Sequence, residues 1–540
     1  KAEKYIIKLL QLSIYSVLFI VPLAFWLPAH ESFETPKSVC FYVFIFLALS
    51  LYILLQAVRG RFIIKYTSFS LPVLGLILIF FLSLLKGAYI NPDAFSLHWQ
   101  FFKLLLANVI LYFLIINVFY KDDIKKILYF IFVSHAIVVI YGLFQLMGVD
   151  FIKWVSFGEH RVYSTMGNPD YMSAQFTLII PLIIMMLLSP FSKIPKFLTA
   201  LLGVGMAFLI ITAQGRGAWL GFIGSVFYML ALLGFVYGKN FFYKYKYFLT
   251  GGAVLIIVFA IIFSGPIKKR IKHGLNITSD SVAVRLFYWE SALQMAVHNP
   301  FLGAGIGGFS LNTAYYQREV LDRWQEKMPA MADKVRPHVE LYTHNDFLQT
   351  LSETGFLGLG VFLWLIASVF IMNFQKGRAE KDTFIKNLFL GITGVIVAYI
   401  INALLNFPWR VTFTLILLWT IFGIYSVTEP KKRINVKFAP DKKLTAVILA
   451  AALFLFTIPE LFSFRANLLV KSGQDAFSAK QYEKARGMFT TALSSNPRGT
   501  DTIELLLYAG NAYHALNDIE QATGYYNRGL AMFPHFIEAH

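Results

Sequence analysis

The chain is poor in the groups that staple or metallate a fold. Its 540 residues contain one cysteine, Cys40, which lies inside an apolar stretch, so disulfides and thiolate metal sites within one chain are excluded. Charge is also scarce, with Asp, Glu, Lys and Arg together making up 14% of the residues. Acidic residues are the rarer kind, 30 against 48 basic ones. No small-residue cleavage pattern follows the first apolar segment, which therefore reads as a retained span.

What fills the sequence instead is apolar surface. Hydrophobic residues reach 57%, aromatic residues 17% and mean hydropathy is +0.62, far outside the range of soluble domains. Windows of about 20 apolar residues, the length that crosses a hydrocarbon core of about 30 Å, recur along the chain. Spans are expected near 5–28, 38–58, 69–86, 98–120, 124–147, 171–190, 197–214, 217–237, 247–264, 355–374, 386–406, 411–427 and 443–463. The chain reads as an all-α, polytopic membrane bundle of 12 to 13 transmembrane helices.

Lysine and arginine in short loops stay cytoplasmic, and here alternate loops are basic. Lys1, Lys4 and Lys8, then Arg59, Arg61 and Lys65, then Lys121, Lys125 and Lys126, fall on one side, as do Lys376, Arg378, Lys381 and Lys386 and the run from Lys431 to Lys443. This places the N-terminus inside and the C-terminus outside. Much of the net charge of +18 is topology, and it implies no nucleic-acid partner. The expected organisation is helices over 1–264, a large outer loop over 265–345, further helices over 346–464 and a soluble segment over 465–540.

That last segment repeats itself. Gly473, Ala485 and Pro497 are matched by Gly510, Ala522 and Pro534 at an offset of 37. The pattern resembles tetratricopeptide repeats, whose usual period is about 34, with a short insertion around Arg498 to Asp501. Each copy is expected to be a helix pair offering a concave surface to a partner protein.

Four outer segments carry the polar chemistry. Arg161 precedes a Gly167-Asn168-Pro169 turn, and Arg216 stands between Gly215 and Gly217, a bare backbone around a guanidinium. Gly217 and Gly221 equally form a small-xxx-small packing pair. A helix over 281–299 sets Arg285 four residues before Trp289, with Asp280 or Ser279 as its cap. After it, Gly303-Ala304-Gly305-Ile306-Gly307-Gly308 has the form G-x-G-x-x-G, but no strand precedes it and a nucleotide site is rejected. The fourth segment is Thr343-His344-Asn345-Asp346, at the entrance to a span that continues through Glu353, Gly355 and Gly358. His344 is a titratable group of ordinary pKa about 6.5 at a membrane surface. Asp346 is the expected cap of the helix that follows.

Together these segments resemble the O-antigen ligase superfamily, which contains lipopolysaccharide ligases, O-antigen polymerases and protein O-oligosaccharyltransferases. The resemblance rests on Gly215-Arg216-Gly217, on Arg285 with Trp289 and the Gly303 to Phe309 turn, and on His344-Asn345 followed by Glu353, Gly355 and Gly358. It implies a GT-C-like enzyme of the bacterial inner membrane, working on the periplasmic face without nucleotide, metal or other cofactor. Such an enzyme moves a glycan from undecaprenyl diphosphate to an acceptor hydroxyl on a lipid A-core sugar, a protein or a growing glycan. In that reading His344 is the general base, with His338 as the alternative, and Glu353 orients the site. Arg216 and Arg285 clamp the diphosphate, with Arg161 as a third group. Arg410, Trp289 and Asn345 complete the candidates, although neither Arg161 nor Arg410 aligns with a family role.

Three other readings compete, one of them a membrane-anchored scaffold whose function lies in the repeats. A metal-dependent oligosaccharyltransferase would present an acidic pair in its first outer loop, where His30-Glu31-Ser32-Phe33-Glu34 is a poor match. A transporter of lipid-linked sugars would carry ionisable groups near mid-span, and these spans have very few.

Overall fold

A computed structural model describes residues 1–152, 161–190, 195–238, 280–336, 340–437, 442–495 and 502–533, with isolated positions between 242 and 265. The span expected at 247–264 lies outside the described residues except at isolated positions, and the candidate His338 lies outside them. The chain is helical almost throughout. Helices α1 (Ala2–Ile20), α2 (Glu34–Arg59), α3 (Ser70–Ile90), α4 (Phe95–Val118), α5 (Ile124–Leu146), α6 (Pro169–Leu187), α7 (Lys196–Ala213) and α8 (Arg216–Tyr237) form the first part. Helices α9 (Asp280–His298) and α10 (Gly308–Lys327) follow, then α11 (Asp346–Ala379), α12 (Thr383–Ala403) and α13 (Thr412–Val427). The chain ends in α14 (Lys442–Leu455), α15 (Ile458–Ser478), α16 (Tyr482–Ser495), α17 (Thr502–Ala515) and α18 (Ile519–Met532).

Eleven of the described helical stretches are long and apolar enough to cross a membrane, and the fold is an all-α polytopic bundle. α13 falls short at 16 residues, about 24 Å at 1.5 Å per residue. All 16 of its residues are buried, so protein rather than lipid surrounds it. The Gln214-Gly215 break is real: Gln214 closes α7 in a left-handed conformation with φ 59° and Gly215 precedes α8. Gly221 packs α8 against α12, where a Cβ would stand 3.3 Å from the Ala398 carbonyl. The packing role of the small-residue pair is therefore fulfilled on this helix face.

Two short strands were not legible in the sequence. β1 (Arg61–Tyr66) pairs antiparallel with β2 (Lys432–Lys437), with Arg61 opposite Lys437 and Ile64 opposite Ile434. The pairing joins two of the basic loops at one end of the bundle. α2 and α13 both run from the opposite end, where the Thr412 N–H donates to Glu34 Oε1 at 2.9 Å.

α15 runs through residue 465, so a single helix carries the chain from the last apolar stretch into the repeated segment. The offset of 37 has a packing basis. Gly473 lies under Phe489 and Gly510 under Tyr526, each leaving no room for a Cβ, and Lys480 and Asn517 both take left-handed turns, at φ 60° and 62°. The repeats lean on the membrane domain. His30 Nδ1 lies 2.9 Å from Gln474 Oε1, the Glu31 N–H donates to Asn467 Oδ1 at 3.1 Å, and Ala94, Leu97 and Leu311 pack with Phe533.

Candidate active site

The N-terminal end of α11 is built by polar side chains on the segment leading into it. Asn345, rather than Asp346, caps the helix, its Oδ1 accepting from the Phe347 and Leu348 N–H groups at 3.0 Å each. This satisfies two of the four orphan donors of a helix N-terminus. Asp346 instead turns inward, fully buried, and its Oδ2 accepts from the Trp409 N–H at 2.8 Å and the Tyr399 hydroxyl at 3.2 Å. It thereby ties α11 to the turn Phe407–Arg410 before α13.

His344 sits just outside the helix with φ 56°, a left-handed backbone that costs a non-glycine residue energy. Its ring meets the edge of Phe407 at 5.0 Å between centroids and lies within 12° of parallel to Tyr288 at 6.4 Å. Nδ1 is buried without a hydrogen-bond partner among the described residues. Burial, and secondly the positive charge of Arg285, push the pKa of this imidazole down to about 4, while Glu340 and Asp170 act in the opposite sense. The ring is therefore neutral near pH 7 and can accept a proton.

The arginines divide into two kinds. Arg216 occupies the first turn of α8 and donates through Nη2 to Ser281 Oγ at 3.1 Å, which brings the N-terminal ends of α8 and α9 together. Arg285, on α9, acts on His344 through its charge. Arg161 and Arg410 are held by carboxylates. Arg161 bridges the Ala213 carbonyl at 2.9 Å and Asp170 Oδ1 at 3.0 Å, closing the C-terminus of α7. Arg410 lies 2.8 Å from Glu353, and both side chains are buried. Trp289 is partly buried, and its indole N–H finds no acceptor among the described residues.

The glycine-rich turn after α9 has a structural task. Gly303, Gly305 and Gly307 all have positive φ, at 64°, 98° and 73°. The turn enters a break in α11 at Gly355, whose φ of 67° and ψ of −170° interrupt the helix. There Ala304 and Gly305 donate to the Ser352 and Glu353 carbonyls at 3.0 Å each, and Phe356 donates to the Pro300 carbonyl at 2.7 Å. Backbone groups freed by the break are thus paired with the turn, as a broken helix at membrane depth requires. Lys86 and His98 hold the turn from behind, donating to the Gly303 carbonyl at 2.5 Å and meeting the Ile306 carbonyl at 2.5 Å.

The structure thus gathers His344, Arg285 and Asp170 near the N-terminal end of α11 and joins Arg216 to the start of α9, while Glu353 and Arg410 form a buried pair. The sequence reading missed Tyr288, whose hydroxyl donates to Glu340 at 3.2 Å, and Gln349. The spacing of Asn345, Gln349 and Glu353, four residues apart in an apolar helix, is the signal that marks Gln349. Among the described residues no cluster of three or more His, Cys, Asp or Glu side chains could hold a metal ion.

Residues 201–363 match the family described as O-Antigen ligase, a segment that includes Arg216, Arg285, the glycine turn, His344 and Glu353. The chain is 25% identical over 300 residues to the ComP-specific O-oligosaccharyltransferase of Acinetobacter baylyi, covering 55% of this chain and 50% of that protein. It is 28% identical over 204 residues to a candidate polysaccharide ligase of Rickettsia typhi, covering 36% and 45% of the two. The chain spans about half the length of the curated relatives it matches. Over residues 201–363 the chain is thus similar to the O-antigen ligase family.

Proposed function

We propose that the protein is a glycosyltransferase that moves a glycan from undecaprenyl diphosphate to an acceptor hydroxyl, on the face of the membrane where His344 lies. The observation that carries this reading is the meeting of a neutral, half-buried imidazole with the charge of Arg285 near the N-terminal end of α11, inside a segment that matches a ligase family. Arg216 and Arg285 bind the diphosphate, because guanidinium groups stay protonated and match phosphate oxygens bidentately. His344 takes the acceptor proton as the hydroxyl oxygen bonds to the anomeric carbon. The bond from that carbon to the phosphate oxygen breaks in the same displacement, and the lipid diphosphate leaves with the electron pair.

Electrostatics couple donor to base. In the empty site Arg285 lowers the proton affinity of His344. A diphosphate seated on Arg285 offsets that charge, raising the basicity of the imidazole when the donor is in place. Holding the departing charge among fixed cations is the main catalytic contribution.

The acceptor in this reading is a lipid A-core sugar of a bacterial cell envelope, with the periplasm as the site of transfer. A protein acceptor is the second reading. It is favoured by the docking of the helix hairpins on the outer loops at His30 and Glu31, where tetratricopeptide-like repeats would present a partner, and by the name of the Acinetobacter baylyi relative. Incubating the purified protein with a lipid-diphosphate-linked glycan and, separately, lipid A-core, a pilin and a second glycan chain decides among them. Labelled glycan on lipid A-core is the expected result, label on the pilin selects the second reading, and label on none of them refutes the transferase reading.

A further inference from the structure

We propose that Gln349 and Thr343 are positioning residues for the base, a pair of clamps that hold the left-handed backbone of His344 and so set the direction of its ring. The proposal rests on the transferase reading, in which His344 takes a proton.

The clamps close around the residue from both sides. Gln349 is fully buried, one turn into α11. Its Oε1 accepts from the Thr343 N–H at 3.1 Å, and its Nε2 donates to the Leu341 carbonyl at 3.0 Å and to Glu353 Oε1 at 3.0 Å. One side chain therefore grips the strand two positions apart, immediately before His344. Thr343 is buried as well, and its hydroxyl spans His344, donating to the Asn345 carbonyl at 2.7 Å and accepting from the Asn345 N–H at 3.1 Å.

Such a turn is where a positive φ at His344 is needed, since the chain must reverse between Thr343 and Asn345 for one threonine hydroxyl to reach both groups. Asn345 then anchors the far side, its Nδ2 donating to the Leu404 carbonyl at 3.2 Å while its Oδ1 caps α11. No hydrogen bond holds Nδ1 of His344 among the described residues. Among the described residues the ring is flanked by Tyr288 and Phe407, and no carboxylate is hydrogen-bonded to Nδ1. That contrasts with sites where an acid fixes the base directly, and it shifts the orienting task to Gln349 and Thr343. Gln349 in turn rests on Glu353, which the Arg410 guanidinium holds at 2.8 Å, so the clamp is backed by a buried ion pair.

The test uses the full-length protein with a lipid-diphosphate-linked glycan and the acceptor identified above. Gln349→Leu and Thr343→Val are each expected to lower kcat by about 10²-fold, the cost of misplacing a catalytic group by about 1 Å, with donor KM within about twofold. Thr343→Ser, which keeps the hydroxyl, is expected to retain the wild-type kcat. A purely structural role would instead lower thermal stability and the yield of active protein without this split between kcat and KM. If Gln349→Leu does not fold, the Thr343→Val and Thr343→Ser pair decides. Wild-type kcat in Thr343→Val, with His344→Ala inactive, overturns the positioning proposal. Activity in His344→Ala overturns the transferase reading beneath it.

Discussion

Gly355→Ala tests whether the glycine turn and the break in α11 are one structural device. Gly355 has φ 67° and ψ −170°, a region essentially restricted to glycine, and an alanine there costs about 1–3 kcal/mol in strain. Its Cβ would also fall against the Phe301 carbonyl and 2.6 Å from the Pro300 oxygen. Backbone cannot rotate away as a side chain can, so overpacking adds roughly 1–3 kcal/mol. The sum, roughly 2–6 kcal/mol, is large against the stability of a folded domain. The internal control is Gly360→Ala on the same helix, where nothing lies within 4 Å of the added Cβ and propensity favours alanine by up to about 1 kcal/mol. In detergent, thermal unfolding should show Gly355→Ala lowered by several degrees and Gly360→Ala unchanged or raised. Hydrogen exchange at Ala304, Gly305 and Phe356 should accelerate only in the first. Equal midpoints for the two variants would refute the argument.

Other substitutions probe the remaining contacts. Arg410→Met strands Glu353 in the interior and should destabilise by about 3–5 kcal/mol, with Glu353→Leu in the same chain restoring much of the loss; no restoration in the double variant contradicts the pairing. The lowered pKa of His344 means its ring loses protons on folding. Stability linked to it is intact above the ordinary value of about 6.5 and is lost as pH falls toward about 4. For the same reason kcat/KM, which reports the free enzyme, should stay level from pH 8 to about 5, and Arg285→Gln should move its acid limb upward, whereas an unmoved limb argues against their coupling. His30→Ala removes the contacts to Gln474 and Glu504, and hydrogen exchange in α17 should quicken by a few-fold. Unchanged exchange there means the docking is carried elsewhere.

Periodic and compositional features were legible because they repeat. Apolar runs gave the spans, and the spacing of Gly473 and Gly510 with Ala485 and Ala522 gave two matching hairpins whose buried contacts, Gly473 with Phe489 and Gly510 with Tyr526, obey the same offset. Features formed between distant segments were not. The β1 and β2 strands lie in basic loops of the sequence and become strands only by pairing across the bundle. The Glu353–Arg410 pair likewise joins two segments with no local mark of each other. Asp346 and Asn345 exchange expected roles because both can cap a helix, and only the fold supplies the Trp409 N–H and Tyr399 hydroxyl that draw Asp346 inward. The partner of the G-x-G-x-x-G run, the break at Gly355, is visible only once the turn is seen inside it.

The central claim is that His344 removes a proton from an acceptor hydroxyl while Arg216 and Arg285 hold a lipid diphosphate. The most direct measurement is single-turnover transfer of labelled glycan from its lipid-diphosphate carrier by purified wild-type and His344→Ala protein, with donor binding measured on the same samples. The account predicts that His344→Ala binds the donor as the wild type does and transfers at least about 10²-fold more slowly. Transfer by His344→Ala at the wild-type rate would contradict it.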